Sequence, residues 1–161
     1  MRVEVNSRQN GFTLIEILVV LFICSLVVLP ALYNWQQQLQ RFRLIDAARQ
    51  VAGFIYSNLM EGIYLNQHRV LQVNNDQGSW NLVVNNVATG KEISRLNDSK
   101  LEGIGIKKTT RTSIDLYGKQ GTSHAFSIEL QNENEAITIY LSAIGRLRGC
   151  SKQKMVGIPR C

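Results

Sequence analysis

An unbroken apolar run near the start of the chain dominates its hydrophobic pattern. Residues Phe12 to Tyr33 are apolar except for Thr13, Glu16 and Ser25. As an α-helix, this run would span about 33 Å, which matches the hydrocarbon core of a bilayer. A secretory signal peptide fits less well, because the run is longer than a signal core, lacks a following small-x-small cleavage site and contains a carboxylate. We predict a membrane-spanning segment at 12–33.

Helical periodicity continues beyond this run. Apolar residues recur every three or four positions and polar residues lie elsewhere around the helix, which is typical of an amphipathic helix; the apolar positions are Leu44, Ala48, Val51, Ile55, Leu59 and Ile63. The pattern predicts one long helix to about Asn66, its first half in lipid and its second half packed on a sheet. Pro30 removes an intrahelical donor and predicts a kink or local melting near Val27 to Pro30.

From His68 onward the pattern changes to short apolar stretches separated by turn residues, which is typical of β-strands. The predicted strands are 69–73, 80–84, 92–96, 103–107, 113–117, 125–130 and 136–141. The last two alternate well and are joined by the polar residues Gln131 to Glu135, which predicts a hairpin with a five-residue loop. The fold class is α+β, with a long N-terminal helix packed on an antiparallel sheet, and 34–161 forms one globular domain.

Positive charge is concentrated at the C-terminus. The net charge is +6, from 18 Lys and Arg against 12 Asp and Glu, and residues 136–161 contain no acidic residue. Five cations occupy that stretch, which should attract polyanions; they are Arg146, Arg148, Lys152, Lys154 and Arg160.

An Arg-x-Arg motif stands within this tail, flanked by Gly145 and Gly149. In extended backbone, Arg146 and Arg148 would point the same way about 6.6 Å apart, close to the phosphate repeat of a nucleic acid strand. Guanidinium groups bind phosphate bidentately, and Lys152 lies near in sequence. The motif is therefore suited to binding a phosphate backbone, although arginines on a terminal strand are also often merely solvated.

Two of the three cysteines, Cys150 and Cys161, bracket a polar C-terminal loop, whereas Cys24 lies in the apolar run. If the domain lies outside the cytoplasm, oxidation is permitted and we predict a disulfide between the first two. A metal site is the weaker interpretation, because two thiolates without nearby histidines do not complete a tetrahedral shell.

Motifs for catalysis are not evident in the sequence. His68 and His124 lie outside any recognisable metal or nucleophile motif, and we interpret both as surface or turn residues. The chain shows no phosphate-binding glycine loop and no nucleophile elbow. We predict a protein without enzymatic activity, cofactor or metal.

Glu16 needs an explanation, because a carboxylate in a membrane helix costs about 2.5–3.5 kcal/mol at the helix centre and usually has a partner. The apolar segment contains no Lys or Arg, so a partner from another molecule is the natural hypothesis, and it implies assembly. Charge counting leaves the orientation in the membrane open, since arginines follow the segment as closely as they precede it.

The string Gly11-Phe12-Thr13-Leu14-Ile15-Glu16 resembles the processing site of type IV prepilins and type II secretion pseudopilins. The resemblance implies that prepilin peptidase removes the leader 1–11 by cleaving between Gly11 and Phe12 and then methylates the amine of Phe12. It also implies that Glu16 meets the N-terminal amine of a neighbouring subunit during filament assembly. We therefore expect an inner-membrane protein with a periplasmic domain, which later enters a pilus or pseudopilus with other pilins.

The C-terminal Gly145-Arg146-Leu147-Arg148 is similar to the ending of the FimT/GspH family. FimT-type minor pilins use this motif to bind DNA during natural transformation. The resemblance implies that Gly145, Arg146 and Arg148 contact double-stranded DNA without sequence specificity, with Lys152 and Lys154 nearby. In the alternative, a GspH-type pseudopilin of type II secretion, the same ending serves the fold or subunit contacts. The basic tail favours the DNA-binding minor pilin.

Overall fold

The computed structural model describes residues 13–76, 78–118 and 121–161. The predicted leader and the predicted cleavage site at Gly11 and Phe12 lie outside the described residues. The chain divides into two compact units after Leu39.

A single helix, α1, runs from Leu14 to Tyr64. Thr13 caps its start, since the Thr13 hydroxyl accepts a hydrogen bond of 3.3 Å from the backbone N–H of Glu16. The helix is continuous through Pro30, so the local melting expected there is not observed. It ends two residues earlier than predicted, where Asn66 takes a φ of +53° and the N–H of Gln67 donates to the carbonyl of Gly62 at 2.8 Å.

The first unit contains the apolar part of α1. Its large apolar side chains, among them Leu14, Phe22 and Leu26, are exposed. By length and composition, α1 is the one helix in the described part of the chain that could cross a membrane.

The described residues of the second unit form nine strands in two antiparallel sheets. The strands are β1 His68–Asp76, β2 Ser79–Asn86, β3 Glu92–Asn97, β4 Gly105–Thr109, β5 Ser113–Tyr117, β6 Thr122–Ser123, β7 Phe126–Gln131, β8 Ala136–Leu141 and β9 Leu147–Ser151. Sheet A has the order β3-β2-β1-β5-β6, and sheet B has the order β4-β7-β8-β9.

The prediction of one sheet was incomplete. After β3 the chain passes through a 3₁₀ turn at Asp98–Lys100, and β4 then pairs with β7 instead of β3. Strand β5 returns to β1, so the paired strands divide into two sheets. Apolar residues of α1 and of both sheets form one core. Trp80 is 2% exposed within it and donates its indole N–H to the carbonyl of Ile104 at 2.8 Å.

The polar loop between β7 and β8 is anchored to α1. Glu135 accepts hydrogen bonds from Arg41, from Nη2 at 2.6 Å and from Nε at 3.0 Å and 3.1 Å. These hydrogen bonds, and the negative charge of Glu135, raise the pKa of Arg41 above its usual value. Asn132 and Asn134 both donate to Gln40, so the loop is held at both its start and its middle. It has four residues instead of the predicted five, because Gln131 belongs to β7.

Candidate functional site

The Arg-x-Arg motif begins in a tight turn between β8 and β9. The backbone N–H of Ser142 donates to the carbonyl of Arg146 at 2.9 Å, and the N–H of Gly145 donates to the carbonyl of Ser142 at 3.0 Å. The hydroxyl of Ser142 also accepts a hydrogen bond from the N–H of Arg146 at 3.0 Å. The serine therefore closes the turn through its backbone and its side chain, and this fixes where Arg146 leaves it.

The short strand β6 holds this turn from the other sheet. The N–H of Ser123 donates to the carbonyl of Ala143 at 3.0 Å, and its hydroxyl donates to the carbonyl of Ser142 at 2.9 Å. Gly145 has a φ of +73°, and a Cβ there would lie 2.9 Å from the carbonyl oxygen of Gly121. The motif's glycine is thus required by the backbone, whereas its contact with DNA stays a prediction.

Replacing Gly145 by alanine should lower the free energy of unfolding by about 2–3 kcal/mol, because the left-handed conformation and the close approach to Gly121 both penalise a Cβ. Urea unfolding of the full chain measures this. Gly149→Ala is the matched control, since a Cβ there meets nothing within 4 Å and the backbone needs no positive φ. Equal stability of the two variants would contradict a conformational role for Gly145.

The two arginines of the motif line one surface groove of about 760 Å³ at this end of sheet B. The groove is formed by the β4–β5 connection, the start of β7, the end of β8, the turn and the start of β9. Its lining residues are Thr110, Arg111, Ala125, Phe126, Ser127, Tyr140, Leu141, Ser142, Ile144, Arg146 and Arg148. The structure therefore brings Arg146, at the end of the turn, and Arg148, in β9, to one groove.

A third arginine, Arg111, lines the same groove and was missed by the sequence analysis. Two hydrogen bonds between Thr110 and Ser127 hold the β4–β5 connection against β7: the N–H of Thr110 donates to the Ser127 carbonyl at 3.0 Å, and the Thr110 hydroxyl accepts from the Ser127 N–H at 2.9 Å. Arg111 is 35 positions before Arg146 in the chain, and no motif connects the two. Only the pairing of β4 with β7 brings them together.

The charged residues that line the groove are all arginines. Arg111, Arg146 and Arg148 are all exposed. None of them forms an ion pair with any residue that the structure describes. Three guanidinium groups without a protein carboxylate can bind an anion without first breaking an internal pair.

Lys152 and Lys154, which the sequence places after the motif, do not line the groove. Both are exposed, but they lie beyond the far end of β9. Between them, Gln153 donates to the carbonyl of Asn134 in the β7–β8 loop at 3.1 Å. Because β8 separates that loop from the turn by about 17 Å, the tail's cations form two groups instead of one patch.

The predicted disulfide between Cys150 and Cys161 is present. The tail it closes runs back beside β9, with the N–H of Ser151 donating to the carbonyl of Pro159 and the N–H of Cys161 donating to the carbonyl of Ser151. Met155 of this loop is 5% exposed and belongs to the core. The tail is therefore a packed part of the domain.

Glu16, the residue predicted to act in assembly, lies in the first turn of α1 and is exposed. Its carboxylate forms no salt bridge with any residue in the described part of the chain. A carboxylate in the first turn also suits the positive end of the helix dipole, so its position has a local explanation, and its part in assembly stays a prediction.

The two histidines share one carboxylate. His68 Nε2 lies 2.9 Å from one oxygen of Asp115, and His124 Nδ1 lies 3.1 Å from the other. Tyr117 stacks on the His68 ring, with centroids 4.7 Å apart. Across the described ranges, no cluster of three His, Cys, Asp or Glu side chains is arranged to hold a metal ion.

Comparisons with known proteins agree with the N-terminal pattern and the fold. Residues 6–32 match the family described as the prokaryotic N-terminal methylation motif. The structure is similar to the crystal structure of the type IV minor pilin FimU of Pseudomonas aeruginosa, with a TM-score of 0.56 and 14% identity over 68% of this chain and 89% of that one.

The chain carries the N-terminal methylation motif and has a type IV pilin-like fold. Its predicted α+β, pilin-like fold is confirmed. A second similar structure is the minor pseudopilin EpsH from the type 2 secretion system of Vibrio cholerae, with a TM-score of 0.49 and 14% identity over 66% of this chain and 98% of that one. No curated protein gives a significant sequence match. The methylation motif and the apolar half of α1 together indicate a membrane-anchored protein.

Proposed function

We propose that this prepilin-like protein is a non-catalytic minor pilin of a type IV pilus. Prepilin peptidase cleaves it between Gly11 and Phe12 and methylates the new amine, and the segment 12–33 anchors it in the inner membrane with the second unit in the periplasm. The methylation motif at residues 6–32 supports the processing step. The exposed apolar side chains of the first unit support burial in lipid, and then against other pilins in the filament.

In the filament, Glu16 forms a polar contact with a neighbouring subunit. Its carboxylate needs a cation once it is buried in a filament core, and the methylated amine of a neighbouring subunit can supply one. The pair sets the axial position of the incoming subunit.

We propose further that the periplasmic domain binds double-stranded DNA through Arg146 and Arg148, without sequence specificity. The observation that carries this proposal is the pair of exposed guanidinium groups on one groove, neither of them paired with a carboxylate that the structure describes. Contacts of this kind position a phosphate backbone and read no bases. A purely structural pseudopilin has no need for unpaired arginines at such a site, and this favours the DNA-binding minor pilin.

The double substitution Arg146→Gln and Arg148→Gln should weaken duplex binding at least tenfold, because two charge-assisted phosphate contacts are lost. The slope of log affinity against log salt should fall in magnitude by about 2. Fluorescence anisotropy of the oxidised full chain in nonionic detergent, titrated with unrelated duplexes between about 50 and 200 mM salt, measures both quantities. The thermal midpoint should not change, since both side chains are exposed.

The matched control is the double substitution Lys91→Gln and Lys100→Gln, which removes the same charge from exposed positions outside the tail. It should leave the affinity within about twofold of wild type. An equal loss in both double variants would show that net charge, and not the motif, holds the DNA. No duplex binding by the wild type would leave a structural role in a pilus or in type II secretion.

A further inference from the structure

We propose that the groove of Arg111, Arg146 and Arg148 accommodates single-stranded nucleic acid, with Tyr140 as a stacking platform for a base. The inference rests on the proposed DNA binding and names the form of DNA that this groove prefers. Its three arginines bind consecutive parts of one phosphate backbone, and Arg111 is a binding residue outside the Gly-Arg-x-Arg motif.

The groove contains exposed apolar surface. Tyr140 is 44% exposed and Ile144 is 65% exposed, although both lie among arginines. The outer surface of a duplex is formed mainly by phosphates and sugars, and its base faces are stacked inside. Single-stranded nucleic acid presents base faces, and aromatic side chains in a basic groove are the usual means of binding it.

The register of sheet B places Tyr140 between the arginines of the groove. Tyr140 on β8 pairs directly with Arg148 on β9 and with Ser127 on β7. Directly paired residues point to the same face, so the tyrosine ring lies between Arg148 on one side and the Thr110–Arg111 segment on the other. From β9 to β4 is three strand spacings, or about 14 Å. Arginines therefore lie on both sides of the tyrosine ring. A nucleic acid strand whose base stacks on the ring needs a cation on each side for its flanking phosphates.

The size of the groove agrees with this ligand. Its volume of about 760 Å³ falls within the range of roughly 300–1,000 Å³ that is typical of sites for small organic molecules. Such a site can hold one or two nucleotides of a single strand. A duplex could contact only its arginine rim, which would leave Tyr140 and Ile144 without a role in binding.

The test compares one labelled oligonucleotide, as a single strand and as the duplex with its complement. Binding is measured by fluorescence anisotropy with the oxidised full chain in nonionic detergent. Wild type should bind the single strand at least fivefold more tightly. Tyr140→Leu, which keeps an apolar side chain but removes the aromatic face, should weaken single-strand binding about tenfold and duplex binding less than twofold.

Arg111→Gln should weaken single-strand binding and lower the magnitude of its salt slope by about 0.7, the value for one phosphate contact on a single strand. Tyr64→Leu and Lys91→Gln are the matched controls, because both positions are exposed and lie outside the groove. Both should bind as wild type does.

Equal losses for single strand and duplex in Tyr140→Leu, or no loss for either, would overturn the inference. If Arg146→Gln with Arg148→Gln still weakened duplex binding at least tenfold in that case, the proposed function would stand without the inference. Binding of neither form by wild type would overturn both. Competition by polyglutamate as effective as by the unlabelled single strand would also overturn the inference, because the groove would then select only negative charge.

Discussion

Gly118→Ala should lower the free energy of unfolding of this protein by about 3 kcal/mol or more. Gly118 follows β5 directly and lies against the C-terminal end of α1. A Cβ at this position would collide with the backbone carbonyl oxygens of Gly62 and Gln67. Those two residues are themselves joined by the hydrogen bond from the Gln67 N–H to the Gly62 carbonyl. Neither carbonyl oxygen can move away from the new Cβ unless the end of α1, against which Gly118 packs, moves with it.

The expected magnitude follows from what obstructs the new methyl group. Inserting one methylene into a packed site costs about 1–3 kcal/mol when side chains can adjust. Here backbone lies in the way at two positions, which places the cost at or above the upper end of that range. A domain with a typical stability of about 5–15 kcal/mol would lose a large part of it.

Urea unfolding followed by the fluorescence of buried Trp80 measures this effect. The experiment uses a Trp35→Phe background, because Trp35 is the other of the two tryptophans and is 70% exposed, so its fluorescence would add to that of Trp80. Gly53→Ala is the control with the opposite sign: a Cβ there meets nothing within 4 Å and the residue is inside α1, so stability should rise by about 0.5–1 kcal/mol. A Gly118→Ala variant within about 1 kcal/mol of its parent would show that the helix end moves more easily than the packing indicates.

The period of the apolar residues was sufficient to predict most elements of the second unit. Leu44, Val51, Ile55 and Leu59 recur at helical spacing, and all four are buried against the sheets. Strand β5 was predicted with its observed bounds, because alternation and turn residues define it locally. Such signals depend on a few neighbouring positions and are visible in a single sequence.

The division into two sheets was not predictable in this way, because it depends on long-range pairing. Nothing near β4 shows that it pairs with β7 and not with β3. Strand β6 has only two residues, too few for a periodic pattern, yet Ser123 in it holds the β8–β9 turn. Strand β9 consists of Leu147–Ser151, where arginine and glycine interrupt the alternation.

The candidate site likewise combines residues that a local sequence pattern identifies with one that only long-range contacts bring in. Arg146 and Arg148 could be found because they are two positions apart, and extended backbone places them side by side. Arg111 could not be found, since it reaches the groove only through the hydrogen bonds between Thr110 and Ser127. Lys154 was grouped with the motif by proximity in sequence, and the direction of β9 takes it to the other end of the sheet.

Loss of the disulfide between Cys150 and Cys161 should destabilise the second unit by about 3 kcal/mol. The bond closes a short loop, and closing a loop of roughly this length restricts the unfolded chain by about that amount. In the folded state, the same loop packs Met155 into the core and pairs the tail with Ser151. Strand β9 is at the edge of its sheet, so this closure is also what secures the strand that carries Arg148.

The double substitution Cys150→Ala and Cys161→Ala should therefore lower the thermal midpoint by roughly 10 °C, measured through Trp80 in the same Trp35→Phe background. Cys24→Ala is the control, because that cysteine is exposed in the first unit and is unpaired in the described part of the chain; it should melt as its parent does. Reductant should lower the midpoint of the Cys24→Ala protein and leave the double variant unchanged. If the double variant instead melted with its parent, the packing of Met155 and the backbone pairing at Ser151 would suffice to hold the tail. The arginine groove would then be stable whether or not the cysteines are oxidised.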